Sequence, residues 1–252
     1  ELARALTGCA GVVHLAAVSR VAAAEEDPAA CRATNEGGLS NLLAAARAQP
    51  ALPWVIFASS REVYGNPVIL PADEDSPLDP INRYAESKVV GERLVAEAAA
   101  TGLRAMTVRL SNVYGAAMDY PDRVVPAFAL AAARGGRLHV RGAGQELDFT
   151  HIDDVTRGLV PLVERFGIGG IDLPTLHFVT GCGTRLGELA ALALSLTRAP
   201  CEVIEEAATG LHVGRFVGCG ARVRELLGWA PRVGIEEGMR RLVESYARER
   251  AA

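Results

Sequence analysis

The chain has 252 residues, half of them hydrophobic and 5% aromatic, and a formal net charge of -4. That length can bury a full core, while the lack of any apolar run near membrane-spanning length and of any basic block excludes lipid and nucleic acid as expected partners. The five cysteines (Cys9, Cys31, Cys182, Cys201 and Cys219) are odd in number and lack a C-x-x-C pair, which disfavours a disulfide framework or zinc site and suits a reducing cytoplasm. The chain opens on Glu-Leu-Ala-Arg-Ala-Leu, which reads as helix and not as a secretory leader.

Along the chain, short β-branched runs alternate with longer Ala/Leu/Arg stretches, the pattern of a doubly wound parallel α/β sheet. Residues 12–15 read as a buried strand, 35–48 as a helix, 54–58 as a strand, 84–99 as a helix and 106–110 as a strand. Each strand runs out into polar residues, and Ser19, Ser59, Ser60 and Asn112 fall there. Open α/β sheets bind ligands in the crevice beyond the carboxyl ends of their strands, so these residues are expected at a site. After Gly115 the elements shorten and Gly and Pro increase, which predicts a smaller lobe, with 151–165 returning to the main sheet. The expected division is 1–115 with 150–180 as the main domain, and 116–149 with 181–252 as a substrate lobe.

Among the 26 basic residues, Lys88 is the one lysine, and it stands four positions after a tyrosine in Tyr84-Ala-Glu-Ser-Lys88. Residues i and i+4 share a helix face, so the ammonium is expected beside the phenol. An ordinary tyrosine, near pKa 10, is a poor base at neutral pH, and a neighbouring cation favours its phenolate. The pair can then take a proton from a carbinol as hydride leaves its carbon, or return it in the reverse direction. Ser60, at the end of the run Phe57-Ala-Ser-Ser60, is expected to orient the substrate oxygen toward Tyr84, with a helix or turn cap as its plain alternative.

Seven segments in order then resemble the extended short-chain dehydrogenase/reductases, the NAD-dependent epimerase/dehydratases typified by UDP-glucose 4-epimerase. They are Val13-His14-Leu15-Ala16-Ala17, Asn35 to Asn41, Ser59-Ser60-Arg61-Glu62-Val63-Tyr64-Gly65, Tyr84-x-x-x-Lys88, Arg109 to Gly115, Phe149 to Val155, and Leu227-Gly228-Trp229-x-Pro231. The resemblance implies a Rossmann-like fold and Ser60, Tyr84 and Lys88 as catalytic residues. It implies NAD against Ala16, Ala17, Asn35, Ser59 and Lys88, and Asn112 at a substrate diphosphate. It further implies a homodimer formed through the helices that contain Asn41 and Lys88. In that family a strand, a Gly-rich turn and a helix come first, and these first strands are expected to be missing ahead of Glu1. The group that reads the ribose lies there too, so NAD is the expected cofactor and NADP stays open.

Three departures bear on activity. Where nucleotide-sugar enzymes of the family read Gln-x-Arg-Asp-Phe, this chain reads Gln145-Glu-Leu147-Asp148-Phe149, and a second arginine is replaced around 209–212. Arg123, Arg141 or Arg215 are the candidate replacements for these diphosphate-clamping guanidiniums. Dehydratases carry an Asp-Glu pair where this chain has Arg61-Glu62; elimination of water needs both an acid and a base, so Arg61 argues against dehydration and leaves Glu62 as a plain solvent-facing or structural acid, with a substrate-side role as the alternative. Leu176 to Gly187 imitates a dinucleotide-binding turn but reads better as a strand and helix cap of the smaller lobe. His14 and His151 fit no metal motif, and no metal is expected. The expected activity is epimerisation of a sugar or nucleotide-sugar through a transient ketone. The alternatives are a one-way dehydrogenase, reductase or decarboxylase, and a non-catalytic fragment unable to hold NAD.

Overall fold

A computed structural model describes residues 1–168, 170–197, 200–208 and 212–249. Its strands are β1 (Gly11–His14), β2 (Trp54–Ser60), β3 (Ala105–Leu110), β4 (Asn112–Tyr114), β5 (Gly136–Arg141), β6 (Glu146–His151), β7 (Leu176–Phe178), β8 (Gly183–Arg185), β9 (Cys201–Glu206) and β10 (Arg215–Phe216). The α-helices are α1 (Leu2–Ala5), α2 (Val21–Glu26), α3 (Pro28–Arg32), α4 (Gly38–Arg47), α5 (Arg83–Ala100), α6 (Val124–Arg134), α7 (Ile152–Leu162), α8 (Leu186–Ser195), α9 (Ala221–Leu227) and α10 (Ile235–Glu249).

The main sheet is parallel throughout, in the order β1-β2-β3-β7. The central strand β2 is buried on both faces, and its alternation divides the core in two. Val55 and Phe57 pack with Leu39, Leu42 and Leu43 of α4 and Val95 of α5, whereas Ile56 and Ala58 face Leu162, Phe178 and Trp229 on the other side. Successive side chains of a strand point to opposite faces, so one run of apolar residues seats helices on both sides of the sheet. The fold is Rossmann-like α/β. Smaller sheets follow: β10-β6-β4 with β8 on β6, and β5 paired with β9.

Two local features differ from the sequence expectation. The helix expected from 35 begins at Pro28 and passes through a π-turn over Ala33–Gly37, which carries Asn35 into the interior. Such wide turns insert one residue into an α-helix and often mark functional positions. The helix expected over 84–99 spans Arg83–Ala100, capped by Asn82, whose Oδ1 accepts from the Ala85 N–H at 2.8 Å. It lies close on the sheet because residue 91 is glycine: a Cβ there would stand 2.6 Å from the Phe57 ring.

Candidate active site

Four segments meet at the carboxyl ends of β1, β2 and β3. The first is the end of β2, which continues through Ser59 and Ser60 into a 3-10 turn over Arg61–Tyr64. Ser60 Oγ caps that turn, accepting from the Glu62 N–H at 3.2 Å, and its hydroxyl stands close enough to the Tyr84 phenol to favour the ionised form. The cap and the orienting role expected of Ser60 are therefore compatible in one side chain. Burial pushes the Tyr84 phenol up to about 12; the Ser60 hydroxyl opposes this, nearby Glu62 adds to it, and the Arg123 and Arg61 guanidiniums oppose it.

Lys88 sits one turn further along α5, buried, with Nζ donating to the Ala58 carbonyl at 2.7 Å. The ammonium lies 4.8 Å from the Phe57 ring centre and 5.7 Å from that of Tyr84. Proximity alone would have this cation lower the phenol's pKa; in the protein without ligands, desolvation prevails and the phenol is held protonated. Burial also brings the Lys88 amine down to about 8, against the opposing influence of Cys31 and Glu92.

Glu62 is buried and not solvent-facing, since Arg61 Nη2 pairs with its Oε1 at 2.7 Å and Asn82 Nδ2 donates to its Oε2 at 2.9 Å. Arg61 Nη2 also donates to Asn112 Oδ1 at 3.0 Å, and Asn112 Nδ2 donates to the Asp148 carbonyl at 2.9 Å. One string of hydrogen bonds thus joins the start of β4 to the N-terminus of α5, and so fixes where Tyr84 stands. From the sequence, Arg61 is only an obstacle to dehydration, and its bridging position is missed; adjacent residues of a 3-10 turn give no periodic signal.

Ala16 is exposed beyond β1 and Ala17 is half-buried, while Asn35 is buried behind them. Asn35 Oδ1 accepts from the Val18 N–H at 2.8 Å, and its Nδ2 donates to the Val18 carbonyl at 3.1 Å and to Ser87 Oγ at 2.9 Å. It clamps the loop carrying Ala16 and Ala17 to α5. Arg123 reaches the same side: its Nη2 donates to Ser19 Oγ at 3.2 Å and its Nη1 lies 3.6 Å from Asp119. Of the other two candidate arginines, Arg141 is bonded to Glu206 at 2.6 Å on the β5–β9 sheet and Arg215 lies 3.7 Å from Glu146. Of the stretch expected to have lost an arginine, 209–211 lies outside the described residues, and His212 is exposed.

A dinucleotide can be tested against this site by asking which buried polar atoms lack partners. Ser59 Oγ and His14 Nε2, at the ends of β2 and β1, have none, and Lys88 Nζ keeps donors beyond the one given to Ala58. Burial, then Lys88, holds the His14 imidazole below its ordinary pKa. These donors beside exposed Ala16 fit the hydroxyl and amide groups of a nicotinamide nucleoside. The glycine-rich imitation does not fit: the Thr180 and Gly181 N–H groups both donate to Asp148 at 2.9 Å, and the segment leads through β8 into capped α8. His151 caps α7, its Nδ1 accepting from the Asp153 N–H at 3.1 Å. Among the described residues no His, Cys, Asp and Glu cluster could hold a metal, and no helix is long and apolar enough to cross a membrane.

Residues 1–170 match the model of the NAD dependent epimerase/dehydratase family, and the chain belongs to that enzyme family. It is 31% identical to a dTDP-glucose 4,6-dehydratase of Streptomyces griseus, over 98% of this chain and 75% of that protein. It is also 31% identical to UDP-glucuronic acid decarboxylase 1 of Danio rerio, over 94% of this chain and 57% of the relative. The UDP-glucose 4-epimerase of Thermus thermophilus, solved as a complex with NAD, superposes with a TM-score of 0.86 at 26% identity, over 97% of this chain and 80% of that one.

Proposed function

We propose that this chain is an NAD-dependent epimerase of a sugar or nucleotide-sugar, working through a transient ketone. The observation that carries the reading is the buried Tyr84 phenol at the carboxyl end of β2, with the Ser60 hydroxyl beside it and the Lys88 ammonium 5.7 Å from its ring centre. In this reading Ser60 positions the substrate hydroxyl and Tyr84 takes its proton, then returns it when the ketone is reduced on its other face. NAD, when bound, supplies the acceptor and later the donor of hydride. Lys88, Ser59, Ala16 and Ala17 hold it, and Asn35 acts through the loop it clamps. Lys88 keeps positive charge near the phenol, and the further positive charge that bound NAD would add favours the phenolate that accepts the first proton; the phenol so formed is the acid of the return step. Asn112 and Arg123 orient the substrate. The sheets formed by β4 to β6 and β8 to β10, with α6, α8 and α10, serve as the substrate lobe, and two copies pair through α4 and α5.

Epimerisation is favoured over loss of water because both oxygens of Glu62 are already engaged, by Arg61 and Asn82. Glu62 is then not free to protonate a departing hydroxyl beside Tyr84. The deciding experiment supplies substrate deuterated at the reacting carbinol carbon. Interconverted epimers that keep the label at that carbon, with no net NADH, are expected; NADH released in proportion to substrate consumed would replace epimerisation by one-way oxidation.

A further inference from the structure

We propose that Arg61 is a specificity residue that receives a carboxylate carried on the sugar ring itself, so that the preferred substrate is a uronic-acid nucleotide sugar. The inference rests on the reading of Tyr84 as the proton-transfer group and goes beyond it to the substrate class. Arg61 is 6% exposed, and its Nη2 serves both Glu62 and Asn112 while its Nη1 has no partner at all. A buried guanidinium nitrogen without an acceptor is costly and rare, and such positions are understandable where a ligand completes the set. Carboxylate oxygens are the natural complement, because guanidinium forms short charge-assisted bonds with them. The guanidinium carbon lies 6.0 Å from the Phe216 ring centre, which backs the group on one side.

The charge count around the phenol points the same way. Arg61, Arg123 and Lys88 stand near Tyr84, against Glu62 and Asp119, so the site carries one cation more than its carboxylates. Position then selects the kind of anion. The Arg61 guanidinium acts on the Tyr84 phenol through space and is held by Glu62 and Asn112 at the same strand ends. An anion paired with it would therefore stand near the reacting carbinol. A carboxyl group on the sugar meets that requirement, whereas a diphosphate attached across the ring does not.

The test compares UDP-glucuronic acid, UDP-glucose and UDP as ligands of the full chain in the presence of NAD, by calorimetry and by kcat/KM. The expected result is a preference for UDP-glucuronic acid over UDP-glucose of at least about tenfold, the scale of one charge-assisted hydrogen bond. That ratio should collapse toward unity in Arg61→Gln, mainly through KM, and be partly restored in Arg61→Lys, which still neutralises Glu62. Equal binding of the two sugars by the wild-type chain, a ratio untouched by Arg61→Gln, or UDP competing as well as UDP-glucuronic acid would each overturn the proposal. The wild-type comparison needs no variant to fold. Tyr84→Phe separates the two readings: if turnover survives it, the proton-transfer role fails, while the binding preference still judges Arg61.

Discussion

Two buried polar networks lie within a few residues of each other in this molecule, and they differ in how complete they are. Around Asp148, at the middle of β6, the carboxylate accepts from the Thr180 N–H and hydroxyl and from the N–H groups of Gly181 and Gly218. Asp154 behaves alike, accepting from Arg157 and from the N–H groups of Arg232 and Val233. At the carboxyl ends of β1 and β2, by contrast, His14 Nε2, Ser59 Oγ and Arg61 Nη1 are buried without partners. A saturated network stabilises a fold, whereas an unsaturated one costs stability until something else completes it. With His177 Nδ1 of β7 the one further buried side-chain atom without a partner among the described residues, the contrast marks the site against most of the scaffold without reference to any sequence motif.

The largest effect should come from Tyr84→Phe, which is expected to lower turnover by about 10²- to 10⁴-fold, the usual worth of general acid–base catalysis. Its melting temperature should move little, since a single hydroxyl group is lost. Turnover within tenfold of wild type would break the distinction between site and scaffold. Asp148→Ala should do the reverse. It strips several donors of a charged acceptor, at about 1–3 kcal/mol each, and should lower the urea midpoint by an amount equivalent to roughly 4 kcal/mol. A midpoint close to wild type would show that this network is not the scaffold it is taken to be.

Lys88 sharpens the comparison through pH. Its folded pKa, about 8, lies below the ordinary value of 10.5, so the unfolded chain holds the extra proton between those values and stability rises with pH across that window. Below pH 8 the full penalty is present, on the order of 3 kcal/mol at 1.36 kcal/mol per pH unit. Lys88→Met should therefore be more stable than wild type at pH 7 and lose that advantage by about pH 10.5, while losing turnover at both. A stability difference that does not vary with pH would contradict it. Smallest in magnitude is Gly91→Ala, which brings a methyl group against the Phe57 ring and should cost about 1–3 kcal/mol, read from denaturation curves.

The parts of this picture legible in the sequence are those with a period or a fixed local spacing. The strands 12–15, 54–58 and 106–110 and the helix 84–99 each lie within two residues of the observed bounds because apolar periodicity reports burial, although the strand expected to be buried over 12–15 is half-buried and Leu15 is exposed. Tyr84 and Lys88 share a helix, as a spacing of four requires. What the spacing does not convey is solvent exclusion. A cation four residues away predicts a lowered phenol pKa, but burial of Tyr84 outweighs nearby cations, and burial is a property of the whole fold. The partners of Asn35, Glu62 and Asp148 lie 17 to 70 positions away or in irregular turns, so no local pattern announces them. The β5–β9 pairing is equally silent, joining strands 65 residues apart.

The wide turn over Ala33–Gly37 separates two requirements that a regular helix would force to agree. Because it holds one surplus residue, removing a residue there would restore a uniform spiral and leave Cys31 upstream and Leu39 downstream in their present phase. The shortened helix should pack as before, yet Asn35 would swing off the Val18 backbone it now grips at 2.8 and 3.1 Å. Such a deletion is expected to give a well-folded protein whose 15–20 loop exchanges its amide hydrogens quickly. The irregularity is thus dispensable for architecture and confined in its effect to the rim of the crevice.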